Sequence, residues 1–504
     1  MARWDLDRRR FLAAIGAGTA ATFLSAGVDA EPRDRPRSVA ILGGGMAGLV
    51  AALELQRHGI EATVLEARRR VGGLAWTIRD GDRISHHGEE EQVARFAGGN
   101  YLNAGAGRIP HHHDHVLALA RALRVPLEVY VHESRANFLL RDGAADAGRV
   151  RLRQVANDLR GHLSEMLEAA IRTGALDQSL APDTRRALAQ FLKLYGDLDR
   201  DGRYHGSTRS GYARQPGATL LDVAVAAPPL TLDDVLRHTQ TFTLLYEEDV
   251  LMQPTMLQPV GGMDHLPRAM ASALRTPVRL GAEVRQARRH ADGVAIVFRD
   301  GDTGRDETLL ADHAIITLPL PLLRRIANDF APPVRKAIAS VAYSDAIKVA
   351  FESPPFWEMD GIYGGNSYVT GDTGVVWYPS GSFQRERQVL IGAYAWYDLA
   401  ARLGARTRDE QVAQARAMVE RLHPGHGKDL ANPIAVDWRR TPFSEGPWVE
   451  WNASGNDPAA AGILNAGDGP FSFAGSYLSA YSGEWMEGAV LSARRAVGRL
   501  TGTW

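Results

Sequence analysis

Apolar positions along the chain change period several times, and each change marks an element. Ser38-Val39-Ala40-Ile41-Leu42 is a short continuous apolar run, the pattern of a strand buried on both faces. Glycines follow at once, and residues 46–58 (MAGLVAALELQRH) then carry apolar side chains at helical spacing until Gly59 stops them. Glu61 to Leu65 predicts a second strand ending at Glu66, so residues 38–66 read as a βαβ unit. From about residue 114 to 200 the period is helical, and Ala226-Ala227-Pro228-Pro229 opens another helical passage. Strand signals return over 278–297 and 314–318. Residues 349–397 then alternate aromatic and β-branched residues with Gly, Ser and Pro turns, and residues 487–500 are helical again.

Gly43-Gly44-Gly45-Met46-Ala47-Gly48 fits G-x-G-x-x-G between the first strand and helix, and Glu66 lies 18 residues beyond Gly48. The context gives each residue a task. Gly43 allows the tight turn, Gly45 lets the backbone approach a pyrophosphate, and Gly48 permits close packing of helix on strand. The helix N-terminus, with Met46 and Ala47, meets phosphate charge, and the Glu66 carboxylate takes ribose hydroxyls. The motif predicts a dinucleotide but does not separate FAD from NAD.

The 504 residues are 45% hydrophobic and 23% charged, with formal charge −1, an ordinary globular balance without the basic footprint of a nucleic-acid binder. Cysteine is absent, which excludes disulfides, thiolate metal sites, cysteine nucleophiles and thioether-tethered cofactors. The basic residues are 54 Arg and only four Lys: Lys193, Lys336, Lys348 and Lys428. That scarcity singles out Lys348, in the strand-like Ala346-Ile347-Lys348-Val349-Ala350-Phe351, because an ammonium is compact and tunable in pKa where a guanidinium is not. His111-His112-His113-Asp114-His115 reads as the solvated first turn of a helix rather than a metal site, and His86-His87 with Glu89 to Glu91 likewise. Near the start, Asp7-Arg8-Arg9-Arg10-Phe11-Leu12, a Gly/Ala-rich stretch and Val28-Asp29-Ala30 predict a twin-arginine export signal over residues 1–30. That stretch is about 15 residues, short of the ~20 that span a bilayer, and nothing later reads as transmembrane.

Glu66-Ala67-Arg68-Arg69-Arg70-Val71-Gly72-Gly73 resembles the E-A-x-x-R-x-G-G stretch of flavin-containing amine oxidases, where the second glycine pair lies against the flavin side of FAD. Leu74 stands where those families usually carry an arginine. Further segments resemble the L-amino acid oxidase branch. Asn103-Ala104-Gly105-Ala106-Gly107-Arg108-Ile109-Pro110 is similar to its G-x-M-R-x-P segment, whose arginine grips the substrate carboxylate, with Gly107 in place of methionine. Tyr195-Gly196-Asp197-Leu198, Ser207-x-Arg209-x-Gly211-Tyr212 and Pro259-Val260-Gly261-Gly262-Met263-Asp264 resemble the helical domain and the return to the FAD domain. Val284 matches a valine whose backbone meets the adenine. Residues 343–380 follow the family order through Lys348, Phe356-Trp357 and Trp377-Tyr378-Pro379-Ser380. In that pattern Lys348 reaches flavin N5 through a water and Tyr378 is the second carboxylate contact. Phe473-Ala474-Gly475-Ser476 and Trp485-Met486-Glu487-Gly488-Ala489 resemble F-A-G-E and G-W-x-E-G-A, where the chain closes over the flavin, with Ser476 for the acidic residue and Glu484 for the glycine. Trp485, and Trp448 after the Ser444-Glu445-Gly446-Pro447 turn, match aromatic walls facing the flavin.

The resemblance implies a fold with α/β and α+β parts. A discontinuous Rossmann-like FAD-binding domain would take residues 38–110, 260–320 and 465–504, a helical domain 114–240, and a mixed-sheet substrate-binding domain 321–464 with parts of 75–110. It implies non-covalent FAD, since Pro447 stands where related enzymes attach FAD through cysteine. The reaction implied is oxidative deamination of an L-amino acid by hydride transfer to flavin N5, giving a 2-oxo acid, ammonia and, with dioxygen, hydrogen peroxide. Neither nucleic acid nor membrane is an expected partner; many members of the family are homodimers. Amine or polyamine oxidation, amino-acid 2-monooxygenation and FAD binding without turnover remain alternatives. The tryptophans favour an apolar or aromatic substrate side chain, whereas Glu484 would attract a cationic one.

Overall fold

In the computed structural model, the described residues are 36–140, 148–237, 241–369, 371–451, 456–479 and 485–503. The expected export signal and Glu484 lie outside them. The N-terminal βαβ unit forms as the pattern predicts: strand Ser38–Leu42, helix Met46–Arg57 and strand Glu61–Glu66. The two strands are the middle of a five-stranded parallel sheet, ordered Arg279–Leu280, Glu61–Glu66, Ser38–Leu42, His313–Ile316, Phe471–Phe473. Strands far apart in sequence thus share one sheet.

Because successive strand side chains point to opposite faces, Val39 and Ile41 pack under the helices while Ala40 and Leu42 face the other way. The first face is covered by helix Met46–Arg57 and the C-terminal helix Met486–Thr501. The second meets the antiparallel strands Ala282–His290, Gly293–Asp300 and Asp306–Ala311, and helix Pro332–Ser340. Val284 is buried there with Leu42 and Leu65, just before a bulge in its strand.

A second, seven-stranded mixed sheet runs in the order Arg149–Arg151, Phe138–Leu140, Gly365–Tyr368, Val375–Tyr378, Gln388–Trp396, Ala346–Ser353, Ala431–Asp437. Its two faces belong to different cores. Ile347, Val349 and Phe351 pack toward helices Tyr397–Gly404 and Arg408–Leu422, while Ala346 and Ala350 join Trp76, Trp377, Ile391 and Trp438 on the opposite face. The stretch 114–240, expected to be helical, contains helices Asp114–Ala122, Leu152–Arg172, Pro182–Gly196 and Leu232–Arg237. It also gives strand Leu127–Tyr130 to a small sheet with Met256–Pro259, and two strands to the seven-stranded sheet. The short apolar runs there are completed by distant partners, which a helical period does not reveal. No helix among the described residues is long and apolar enough to cross a membrane.

Candidate active site

The glycine turn sits at the carboxyl edge of the parallel sheet, where open α/β sheets place ligands. Gly43 N–H donates to Leu65 O at 2.8 Å, and Gly43 has φ +112°, outside what a side chain tolerates. A Cβ on Gly48 would lie 1.9 Å from Gly43 O, so only hydrogen fits where the helix meets the turn. Gly45 differs: the nearest atom to its hypothetical Cβ is Gly73 Cα at 3.8 Å, and its strand bridge is to Gly72. The two glycine pairs therefore form opposite lips of one cradle. Glu66 is buried at its end, accepting from Gly44 N–H at 2.8 Å and Arg68 N–H at 2.9 Å. Each oxygen keeps a second lone pair for a hydroxyl donor.

Residues 103–107 connect this cradle to the seven-stranded sheet. Ala104 and Ala106 N–H groups donate to Trp76 O and Leu74 O, and a Cβ on Gly105 would lie 2.0 Å from Leu74 O. On the other side, Lys348 Nζ donates to Asn103 O at 2.9 Å and Gly105 O at 2.8 Å. The ammonium is 2% exposed and lies 4.6 Å from the Trp377 ring and 5.1 Å from the Tyr394 ring. Burial first, and Arg108 second, push its pKa down to about 7. A neutral amine has two N–H donors and one lone pair, so the two carbonyls satisfy the donors and the lone pair stays available.

Arg108 lies beyond, its guanidinium 4.8 Å from the Trp485 ring and its Nη2 3.8 Å from Met252 Sδ. Its Nε is buried with no hydrogen-bond partner, and among the described residues no carboxylate pairs with it. Burial works against its charge, but Tyr246, Tyr130, Tyr394 and Tyr368 around it hold its pKa above the ordinary value. A permanently charged fork without a counter-ion is a built anion site.

The family model for flavin containing amine oxidoreductases matches residues 46–501. The chain belongs to that family. It is 30% identical over 494 residues to the flavin-dependent L-tryptophan oxidase RebO of Lentzea aerocolonigenes, covering 92% of this chain and 97% of the relative. It is 27% identical over 467 residues to an L-amino-acid oxidase of Siganus canaliculatus, covering 91% and 84%. Among solved structures, a putrescine oxidase mutant matches with TM-score 0.62 at 20% identity over 93% of this chain and 99% of the other. A cyclohexylamine oxidase of Brevibacterium oxydans matches with TM-score 0.62 at 17% identity over the same shares.

The cofactor of this family, FAD, fits the residues present. Arg68 and Arg70 are half-buried at the cradle, and Arg68 lies 4.0 Å from the buried Glu66 carboxylate and donates to Pro442 O and Ser444 Oγ. Burial, then Arg68, pushes Arg70 down to about 9 despite its contact with the Trp76 ring at 4.3 Å and its hydrogen bond to Gly73 O. A dianionic pyrophosphate held there would relieve that excess positive charge. Gly475 and Ser476 stand at the same carboxyl edge: Ala474 N–H donates to Ile316 O, and Gly475 N–H to Ser492 Oγ.

The structure corrects several expectations. Tyr378 does not face Arg108. It is completely buried on the opposite face of the sheet from Lys348, its hydroxyl between Ser367 Oγ at 2.9 Å and His423 Nε2 at 2.8 Å. The neighbouring residue, Trp377, faces the site instead, because strand side chains alternate. The tyrosines within electrostatic reach of Arg108 are instead Tyr246, Tyr130, Tyr394 and Tyr368. Tyr394 could have been found from its pairing with Lys348 across adjacent strands, but no local signal marks it.

The Glu487 side chain does not line the cradle either. Its carboxylate accepts from His115 N–H at 3.0 Å, Val116 N–H at 2.9 Å and His115 Nδ1 at 2.7 Å, capping helix Asp114–Ala122. Replacing Glu487 by Ala orphans these buried donors, and a loss of about 2–4 kcal/mol in unfolding free energy is expected from thermal or urea denaturation. The histidine run is not uniformly solvated: His113 is buried against Trp485 at 5.3 Å, and burial first, with Arg108 among the lesser causes, pushes it down to about 3. Trp448 is half-buried in the cluster that holds Leu74 and Tyr394.

Gly107 has a structural reason. Its Cβ would lie 2.3 Å from the Trp377 ring, so the indole occupies the space of the family methionine. Gly107→Met alone should destabilise by about 1–3 kcal/mol, and adding Trp377→Ala should recover most of that loss in thermal unfolding.

Proposed function

We propose that this chain is an FAD-dependent L-amino acid oxidase, releasing a 2-oxo acid, ammonia and hydrogen peroxide. The observation that carries the reading is Arg108: a buried guanidinium without a carboxylate partner among the described residues, with four tyrosines in electrostatic reach and its face 4.8 Å from the Trp485 ring. An amine lacking a carboxylate would leave that charge uncompensated on binding. Arg108, with the Tyr394 hydroxyl, holds the substrate carboxylate, and Trp485 and Trp448 wall the space and exclude water. Positioning the Cα–H supplies most of the rate advantage. Bound FAD supplies the two-electron acceptor, which dioxygen regenerates. Lys348, anchored on two carbonyls, holds a water through its lone pair and takes up or returns a proton there.

A yellow preparation should bleach anaerobically with an L-amino acid; bleaching by simple amines alone would overturn the reading. Non-covalent attachment is part of it, and denaturation should release the flavin into the supernatant. Export by the twin-arginine route is also proposed, supported by residues 7–30, and is tested by replacing Arg8 and Arg9 with Lys and following the protein's compartment.

Because the neutral amine is the form with a free lone pair, the rate of flavin reduction should rise as pH passes upward through about 7. Stopped-flow reduction should show that inflection in the wild type and not in Lys348→Met; its persistence in the variant would sink the assignment.

A further inference from the structure

Within reach of the Arg108 charge lies a set of buried polar groups around His132. Beyond strand Leu127–Tyr130 the chain is clamped in place. Val131 exchanges two hydrogen bonds with Ser380 Oγ, Asn366 Nδ2 donates to His132 O, and Asn137 ties Ser134 N–H to Gly364 O. This holds the His132 ring at 6% exposure, against Tyr130 at 6.2 Å and Tyr246 at 5.1 Å, with neither ring nitrogen hydrogen-bonded. Glu133 Oε1 and Thr243 Oγ1 are also buried without partners. Thr243 and Tyr246 lie three apart in the 3-10 segment Thr241–Glu248, where such residues share a face. Leaving a buried polar atom unpaired costs about 1–3 kcal/mol, so this many together mark a surface shaped for a polar group.

The chemistry of the set narrows the occupant. A hydroxyl and a neutral imidazole each both donate and accept, whereas the Glu133 carboxylate only accepts, so it is the carboxylate that calls for a donor-bearing, cationic partner. Glu133 and Glu247 are mutually repelling carboxylates here, and burial followed by Glu247 pushes Glu133 up to about 7. Arg135, exposed at the rim, offsets part of that charge. Burial and then Arg108 hold His132 well below its ordinary pKa, hence neutral. Tyr368 lies within the electrostatic reach of both Glu133 and Arg108, which puts the two charges in one neighbourhood.

Resting on the amino acid oxidase reading above, we propose that His132, Glu133, Thr243 and Tyr246 form the side-chain subsite and select an L-amino acid with a cationic, donor-rich end, the guanidinium of L-arginine or the ammonium of L-lysine. Arg108 takes the carboxylate at one end and Glu133 the cation at the other. The tyrosine rings flank the side chain and add cation–π attraction.

The test is anaerobic flavin reduction of the holoenzyme with L-arginine, L-lysine, L-leucine, L-phenylalanine and simple amines, repeated with Glu133→Gln. Higher kcat/KM for the cationic amino acids is expected in the wild type. The arginine-to-leucine ratio should fall at least about tenfold in the variant, whose flavin absorbance and melting temperature report folding. Preference for apolar amino acids in the wild type would overturn the subsite while leaving the oxidase reading intact; a ratio unmoved in folded Glu133→Gln would do the same. Reduction by amines and by no amino acid would overturn the underlying reading itself.

Discussion

Arg108→Ala should lower kcat/KM for L-amino acids by roughly 30-fold to several thousand-fold, the equivalent of about 2–5 kcal/mol for a desolvated charge pair with one partner removed. The effect should fall mainly on KM, because the carboxylate is held equally before and during transfer, with a smaller loss in the limiting rate of flavin reduction from poorer orientation. Arg108→Lys should recover only part, since an ammonium cannot make the bidentate fork. Steady-state oxygen consumption and single-turnover bleaching separate the two effects. Unchanged kinetics in Arg108→Ala would remove the main support for an amino acid substrate. The variant should at the same time improve relative handling of amines, because the uncompensated guanidinium that penalises them is gone.

The second large effect is expected at Gly48. A Cβ there would meet Gly43 O at 1.9 Å, with Gly43 C at 3.1 Å and Ile41 Cγ2 at 3.2 Å, all belonging to the strand and turn that build the cradle. Neither backbone nor strand can retreat without opening the parallel sheet, so Gly48→Ala should yield protein free of flavin or insoluble. The destabilisation should be about 4 kcal/mol or more. The ratio of absorbance at flavin and protein wavelengths reads this directly. Gly462→Ala, in helix Pro458–Ala466 with nothing within 4 Å of the added methyl, is the control. It should be neutral or stabilising by about 0.5–1 kcal/mol. Normal flavin content in Gly48→Ala would contradict the packing described.

The site was legible in the sequence to an uneven degree, and the unevenness has a physical pattern. The cradle follows from local rules: a glycine turn, a helix N-terminus and a carboxylate at the next strand end all fall within residues 38–73, and their geometry is imposed by neighbours in the chain. Lys348 was conspicuous from scarcity alone, and its burial confirms that an ordinary surface lysine is not what stands there. Arg108 was placed by the family pattern around it. Tyr378 and Trp377, in contrast, are adjacent residues of one strand whose side chains enter different cores. A segment pattern does not say which face looks inward, because a one-residue change of register exchanges them.

By itself, then, the sequence determined the βαβ unit, the dinucleotide cradle with Glu66, the absence of any thioether link, and the family to which these residues pointed. Those depend on spacing over a few tens of residues, where chain connectivity fixes which groups meet. Only the tertiary structure decided that Tyr394 rather than Tyr378 stands by Lys348 and within reach of Arg108, that Glu487 caps a helix, that Trp377 fills the space above Gly107, and that the His132 ring nitrogens and Glu133 Oε1 are buried without partners. Each of these is a meeting of segments far apart in the chain, set by strand register and by which face of a sheet is buried, and neither quantity is written in a local pattern.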